Sequence, residues 1–491
     1  MRHGFGALVL TCAALGADAD DLDLPVPLDR RGYRAAVHLL TERGLIEKGH
    51  LTPYGRDVEA MPVERPWGEL LYHASPSLLP IVAVTANIES LHRMTREERN
   101  LSGLTVSGSD HLTTYNVYAE AVNKHGYTGE VYGLPRHLFR ETIDRWGESR
   151  GVLVKAIEDV ALGMASVYRQ LELPLPDRLP LADDRRLAEF ADLVAKVMPF
   201  DLVIDEATAD GREARVSRGS VCGSWGAIAG NLRYFADRFG VPRASIEGTQ
   251  IPERAIRRYA RRGAPEVVFE RQKRRDGLTA IRTVTYFGFL LERDVEPLAD
   301  PFPAELAAAA REALVAALLS GATPHPDQAR VRRAVERFDF YWRRSGGRLA
   351  AASPERVSGA IAESIKEVRS WSEFLARRIT LDPDAVLDPA ARAALDALPA
   401  SVHLLGDRLP LEYAVEDGHG VVRVRLKEGQ ARRLQARDLP KLDRPLRFTV
   451  LRGKREAVRA ETLDDLSRQL RALPKTDRPR PVHPGRRRRR R

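Results

Sequence analysis

Two places in the chain set side chains together that could do acid–base or phosphate chemistry. Phe200-Asp-Leu-Val-Ile-Asp205-Glu206-Ala207-Thr208 reads as an apolar strand ending in an acidic pair. In P-loop ATPases such a pair holds magnesium and orients the attacking water. That chemistry also needs a phosphate cradle, GxxxxGK[ST], whose backbone amides hold the phosphates. The only Gly-Lys pair, Gly453-Lys454, is followed by Arg455 and lacks that spacing. Asp205–Gly211 is therefore expected to be a hairpin turn, and no ATP hydrolysis is expected from this chain alone. The second place is Asp110-His111. Adjacent residues on a helix or turn point in different directions, so a catalytic dyad is not expected there. Ser109 or Asp110 suits the cap of the helix that follows. The 12 His include no HExxH or clustered ligand set, so neither a catalytic nor a metal site is expected.

Basic residues offer a different chemistry. Arg212, Arg215, Ser217 and Arg218 fall on an expected β-hairpin, and Lys124 and His125 flank an expected loop. Single-strand binding needs a positive groove with stacking surfaces, and these six are the candidate contacts. The alternative at each is a solvated basic face. Arg271, Lys273, Arg274 and Arg275 read as a solvated turn. The net charge of +10 favours a polyanionic partner. Only ten of the 78 basic residues are Lys, and Arg's planar fork suits phosphate. A coding bias toward Ala and Arg would give the same composition. Cys12 and Cys222 are too few for a disulfide framework and form no CxxC. No apolar run reaches the ~18 residues a membrane-crossing helix needs.

The elements that must position these residues divide the chain into a multidomain α+β protein. Residues 1–75 read as a winged helix: helix, turn, helix, then a short β-wing. Asp29 can cap a helix carrying Tyr33, Val37, Leu40 and Leu45. Leu51-Thr-Pro-Tyr-Gly is expected as a turn. Residues 76–186 read as a helical bundle, with Leu78 to Leu91 and Leu134 to Leu173 as apolar helical stretches. Strands at Asp201–Ile204, Ala214–Ser217, Glu266–Phe269 and Thr283–Phe287 suggest an OB-like β-barrel over 187–295. A helical region follows over 296–395. A small β-rich region spans 396–473, with Leu409–Tyr413, Val421–Leu426 and Leu446–Leu451 as strands and a closing helix at Leu463–Leu473. The basic tail 474–491 is expected to be disordered. The N-terminus has two readings. Arg2, the apolar stretch Phe5–Gly16 and Ala17-Asp-Ala19 have the form of a secretory signal cleaved near Ala19. The preferred reading is a buried first helix.

Taken in order, these segments resemble the C-terminal half of DEAH-box ATP-dependent RNA helicases of the bacterial type. The resemblance is carried by Ala14-Leu-Gly16, Leu22-Asp-Leu-Pro25, Leu40-Thr-Glu-Arg-Gly-Leu45, Leu51-Thr-Pro-Tyr-Gly-Arg56 with Ala60-Met-Pro62, and Ser109-Asp-His-Leu-Thr-Thr-Tyr-Asn-Val-Tyr118. Arg215-Val-Ser-Arg-Gly-Ser-Val221 and Glu247-Gly-Thr-Gln-Ile-Pro-Glu253 extend it more weakly. It implies that 76–186 is the ratchet (HA2-like) domain, and that ratchet and OB domains form the wall of a single-strand channel. It further implies a cytoplasmic, membrane-independent protein that binds single-stranded RNA or DNA. ATP and Mg would enter only through RecA-type motor domains, in trans or on a longer chain. The competing functions are a non-catalytic RNA-binding or scaffold protein and, third, a secreted protein.

Overall fold

A computed structural model describes residues 4–17, 19, 22, 28–88, 100–236, 240, 242–271, 276–416, 418–453 and 455–472. The expectations for Leu91, for the turn at Lys273, Arg274 and Arg275, for Lys454 and for the tail 474–491 lie outside the described residues. So do most of Leu22–Pro25 and the residues on either side of Ala19. The chain forms two compact units, Met1–Gly263 with Thr283–Arg293, and Ala264–Arg282 with Asp294–Arg491. The division falls inside the stretch expected as one OB-like domain. Helix and sheet are mixed in both units, as an α+β chain requires.

The first unit begins with an apolar helix, Gly4–Leu15, which buries Val9, Leu10 and Ala13 against Leu40, Leu45, Ile46 and Val58. The next helix, Arg30–Glu42, starts where Asp29 accepts from the amides of Arg31 and Gly32 at 3.1 and 3.2 Å. Two-residue strands Ile46–Glu47 and His50–Leu51 pair antiparallel behind it. Leu51-Thr-Pro-Tyr-Gly is not a free turn. Thr52 Oγ1 accepts from the Gly55 amide at 2.9 Å and Pro53 opens the helix Pro53–Glu59. Proline's fixed φ and missing amide suit that first position.

Helices Leu79–Thr85, Asp110–His125, Val154–Gln170 and Asp184–Val197 share one core with Trp67, Tyr115, Tyr118 and Phe190. The stretch from Leu134 to Leu173 is only partly helical. Leu134–Phe139 is a strand, paired antiparallel with Gly126–Val131. The two-residue turn between them is Tyr132-Gly133, at φ 53° and 76°. Both central residues of such a turn need positive φ. His137 fixes the hairpin, bonding the Tyr118 hydroxyl at 3.2 Å and the Pro176 carbonyl at 2.9 Å.

The strands between 201 and 297 do not close one barrel. One sheet runs in the order Asp201–Ile204, Ala227–Ala236, Pro242–Ile251, Arg215–Val216. A second holds Glu266–Glu270, Gly277–Tyr286 and Phe289–Pro297, with Arg261–Arg262 beside Gly277–Tyr286. Pro252 ends the first sheet's last strand and opens the helix Glu253–Tyr259, so the later strands pair among themselves. Gly230 faces Gly248 across the long hairpin of the first sheet. A Cβ on Gly230 would overlap the Glu247 carbonyl oxygen, and one on Gly248 the Ala229 carbonyl oxygen.

In the second unit, helices Ala307–Ser320 and Pro354–Ser364 pack with Phe302, Val331 and Phe374. A five-stranded sheet follows in chain order from Ser401–Leu404 to Arg455–Ala460. It is antiparallel except where His419–Lys427 runs parallel to Leu446–Arg452. Helix Leu463–Ala472 covers it with Leu466 and Leu470. Among the described residues no helix is long and apolar enough to cross a membrane.

Candidate nucleic-acid interface

Ser109-Asp110-His111 is used for structure. Ser109 caps the helix Asp110–His125, accepting from the Leu112 amide at 3.1 Å. Asp110 reaches the first sheet. Its carboxylate accepts from Ser220 Oγ at 2.6 Å, the Val221 amide at 2.8 Å and the Gly248 amide at 2.9 Å. Burial raises its carboxyl above the ordinary range, while those three bonds pull the other way. Beside it, Cys222 is pushed up to about 11 by burial and by the Asp110 charge. His111 Nδ1 lies 3.0 Å from Thr249 Oγ1, which is 2.7 Å from Ser109 Oγ. The rings of Trp67, Phe190 and Phe200 surround His111, and this burial lowers its pKa to about 4. Ser109, Asp110, Ser220, Cys222, Thr249 and the Nδ1 of His111 each have a neighbour within hydrogen-bond distance.

The six residues expected to touch nucleic acid fall on two separate elements. Lys124 closes the helix Asp110–His125, with Nζ 2.6 Å from Glu120. Burial works to raise the Glu120 carboxyl, but hydrogen bonds from Lys124, Arg150 and Trp146 outweigh it and hold it below the ordinary range. His125 Nδ1 sits 2.9 Å from Thr142 Oγ1, and its pKa is lowered by burial and by Lys124. Arg212, Arg215, Ser217 and Arg218 belong to the first sheet and its flanking turns. Arg212 pairs with Asp210 at 3.0 Å, and Arg215 with Glu213 at 2.7 Å. Ser217 Oγ donates to Glu247 at 2.6 Å. Arg218 stands in the turn that follows. Asp205 and Glu206 lie in the turn after Asp201–Ile204, both at positive φ.

The sheet adds residues that the sequence reading did not single out. Side chains alternate between the faces of a strand, and residues paired across strands share a face. On Ala227–Ala236 the even positions Ile228 and Leu232 pack on Val203, Ala214, Ala244 and Ile246. The odd positions Asn231, Arg233 and Phe235 therefore share the opposite face. Arg233 pairs with Ser245, and Ser245 with Arg215, so one row crosses three strands. The next row pairs Phe235 with Arg243. Three Arg thus share one face with a ring that is 51% exposed. Glu213 takes Arg215 and also Arg243, the latter at 3.4 Å. Glu247 shares the face, opposite Asn231. Arg233 has no ion-pair partner among the described residues. Tyr234, 60% exposed, stands on the reverse face of the same strand end, and Trp225, 74% exposed, precedes the strand. Such an arrangement can hold phosphates by charge while a ring stacks on a base. The alternation in Asn231-Leu-Arg-Tyr-Phe235 was the one available signal in the sequence. Among the described residues no group of His, Cys, Asp or Glu could hold a metal ion.

No family model matches the chain, and no curated protein matches it. Solved structures do match. The crystal structure of the E. coli DExH-box NTPase HrpB is 16% identical with a TM-score of 0.47, covering 94% of this chain and 51% of that one. A second, of the Escherichia coli DEAH/RHA helicase HrpB, is 15% identical with a TM-score of 0.44, covering 94% and 52%. The chain spans about half the length of these solved structures.

Proposed function

We propose that this chain binds single-stranded nucleic acid, RNA or DNA, through the outer face of the hairpin Ala227–Ala236 and Pro242–Ile251. In this reading it is the C-terminal, nucleic-acid-binding module of a DEAH-box RNA helicase, with its ratchet helices and the sheet of the hairpin walling the strand's channel. ATP and magnesium would act through RecA-type domains on another or a longer chain. The observation that carries the reading is the register placing Arg215, Arg233 and Arg243 with Phe235 on one exposed face. Arg and aromatic side chains together give sequence-tolerant grip, because every base has a stacking face and every nucleotide a phosphate. The ordered motifs from Ala14 to Tyr118 support the helicase assignment independently.

The test is fluorescence anisotropy of a labelled single-stranded oligonucleotide over a salt series. Each neutralised phosphate contributes about −0.7 to the slope of log K against log salt for single strands. Replacing Arg215, Arg233 and Arg243 by Ala together should therefore flatten the slope by about 2. An unchanged slope would remove the hairpin face from the reading. Salt-independent, negligible binding by the parent chain would favour a protein scaffold.

A further inference from the structure

A second feature of the first unit lies on other elements and does not depend on the hairpin face. A cleft of about 580 Å³ opens between the helix Arg30–Glu42, the end of Asp184–Val197 and the turn Phe287-Gly288. That volume lies within the range of small-molecule sites. Its floor is neutralised. Glu69, 1% exposed, accepts from Arg43, from Arg65 and from the Tyr54 hydroxyl. Arg43 also donates to the Val197 and Met198 carbonyls at 3.0 and 3.1 Å, closing the end of the helix Asp184–Val197. At the rim Glu42 is exposed and lies 3.2 Å from His38, which offsets its charge only when protonated. Lys196 and Arg261 are also exposed at the rim, and neither has an ion-pair partner among the described residues. Two cations set against the one Glu42 carboxylate leave the rim with a net positive charge.

Its walls are aromatic. Tyr54 is held in place by its bond to Glu69 and by the ring of Tyr72 at 4.7 Å. Phe287 stands at the opposite lip, 43% exposed, at φ 41°. A bulky residue in the left-handed region is a real outlier, and Asn or Gly would fill the same turn without strain. One edge of Phe287 meets Tyr286 at 5.0 Å, yet much of the ring remains open to the cleft. A strained, half-exposed ring beside two unpaired cations has the composition of a site for a flat ring carrying an anion.

We propose that this cleft binds a phosphorylated nucleoside, with the base against Phe287 and Tyr54 and the phosphate at Lys196 and Arg261. The same chemistry is offered by a free mononucleotide and by the phosphorylated terminal nucleotide of a strand. Calorimetric titration of the full chain separates these sources, using 5′-AMP, adenosine and a hexanucleotide with and without a 5′-phosphate. The free-nucleotide source requires saturable AMP binding at least about tenfold tighter than that of adenosine, because the phosphate bonds are charge-assisted. The strand-end source requires the phosphorylated hexanucleotide to bind more tightly than the unphosphorylated one. In either case Lys196→Ala with Arg261→Ala should erase the phosphate preference. Phe287→Asn should weaken binding by about tenfold through lost stacking while melting no lower than the parent, since it relieves the turn. That variant separates a lost site from a lost fold. Arg233→Ala with Phe235→Ala should leave AMP binding unchanged, whatever becomes of the hairpin reading. The proposal is overturned if neither AMP nor the phosphorylated end shows a phosphate preference, or if the preference survives the Lys196 and Arg261 changes.

Discussion

The Asp110 cluster and the outer end of the hairpin sit on the same sheet and use their polar residues in opposite ways. At Gly248 the hairpin is tied by a half-buried carboxylate that spends its acceptors on a hydroxyl, two amides and, at 3.8 Å, the Cys222 thiol. A few residues along, Arg233 and Phe235 project with little or nothing to hold them. Asp, His, Ser and Cys are the residue types that suggest chemistry in a sequence, and here they are consumed by structure. Arg233 and Phe235, at unremarkable positions, are left available. Availability, and not residue type, separates a binding surface from a structural joint.

The contrast can be broken at the joint first. Asp110→Ala leaves the Ser220 hydroxyl and the Val221 and Gly248 amides without their acceptor. At about 1–3 kcal/mol for each unsatisfied donor, the loss should be about 3–5 kcal/mol after relaxation. Urea unfolding followed by circular dichroism measures it, and Asp110→Asn should cost clearly less. A change below about 1 kcal/mol would mean that the cluster does not hold the sheet.

Acid should reach the same joint next. His111 has a pKa of about 4 in the folded chain, against an ordinary 6.5. Below pH 6.5 the unfolded chain takes up a proton that the folded chain refuses. The stability present above pH 6.5 is therefore lost as pH falls toward 4, by about 1–3 kcal/mol. Burial shifts Asp110 upward, so its contribution is present at low pH and lost as pH rises through its folded value, the opposite sense. The difference between the parent and His111→Gln isolates the histidine: the variant's melting temperature should fall less between pH 6.5 and 4. Identical acid limbs would show that His111 titrates normally.

At the open end the effects should move from stability to affinity. Phe235→Ala should weaken single-strand binding by about 1–2 kcal/mol through lost stacking while changing unfolding by less than about 0.5 kcal/mol. The reverse pattern would make the ring a packing residue. The smallest effect belongs to Arg212. It stands in an exposed pair with Asp210, and Arg212→Ala should shift both stability and affinity by less than about 0.5 kcal/mol. A large affinity loss there would move the nucleic-acid path toward the turn Asp205–Gly211.

Local signals were legible in the sequence, and long-range pairings were not. Asp29 and Ser109 could be read as caps because a cap and its helix are neighbours in the chain. The β-rich stretches at 421–426 and 446–451 and the closing helix near Leu463 show strand and helix periodicities directly. The hairpin Gly126–Phe139 was hidden because Tyr132-Gly133 is not the Asn-Gly that announces such a turn, and because Leu134 and Leu138 fit a helical spacing. The single barrel failed for a related reason. Strands were visible, but not that Pro252 would start a helix between them. Arg215 and Ser217 could be nominated from a basic run. Arg233, Phe235 and Arg243 could not, because only the register of Ala227–Ala236 against Pro242–Ile251 brings them together.

That register has its own safeguard in the Gly230–Gly248 pair. Sliding one strand by a residue would bring Asn231 or Glu247 into a crossing that tolerates no Cβ. It would also turn the arginines onto the opposite face. Exclusion at mid-strand therefore constrains the alignment from within the strands themselves. A single methyl group at position 230 or 248 would therefore disturb which residues meet on the surface, although it lies rows away from any of them.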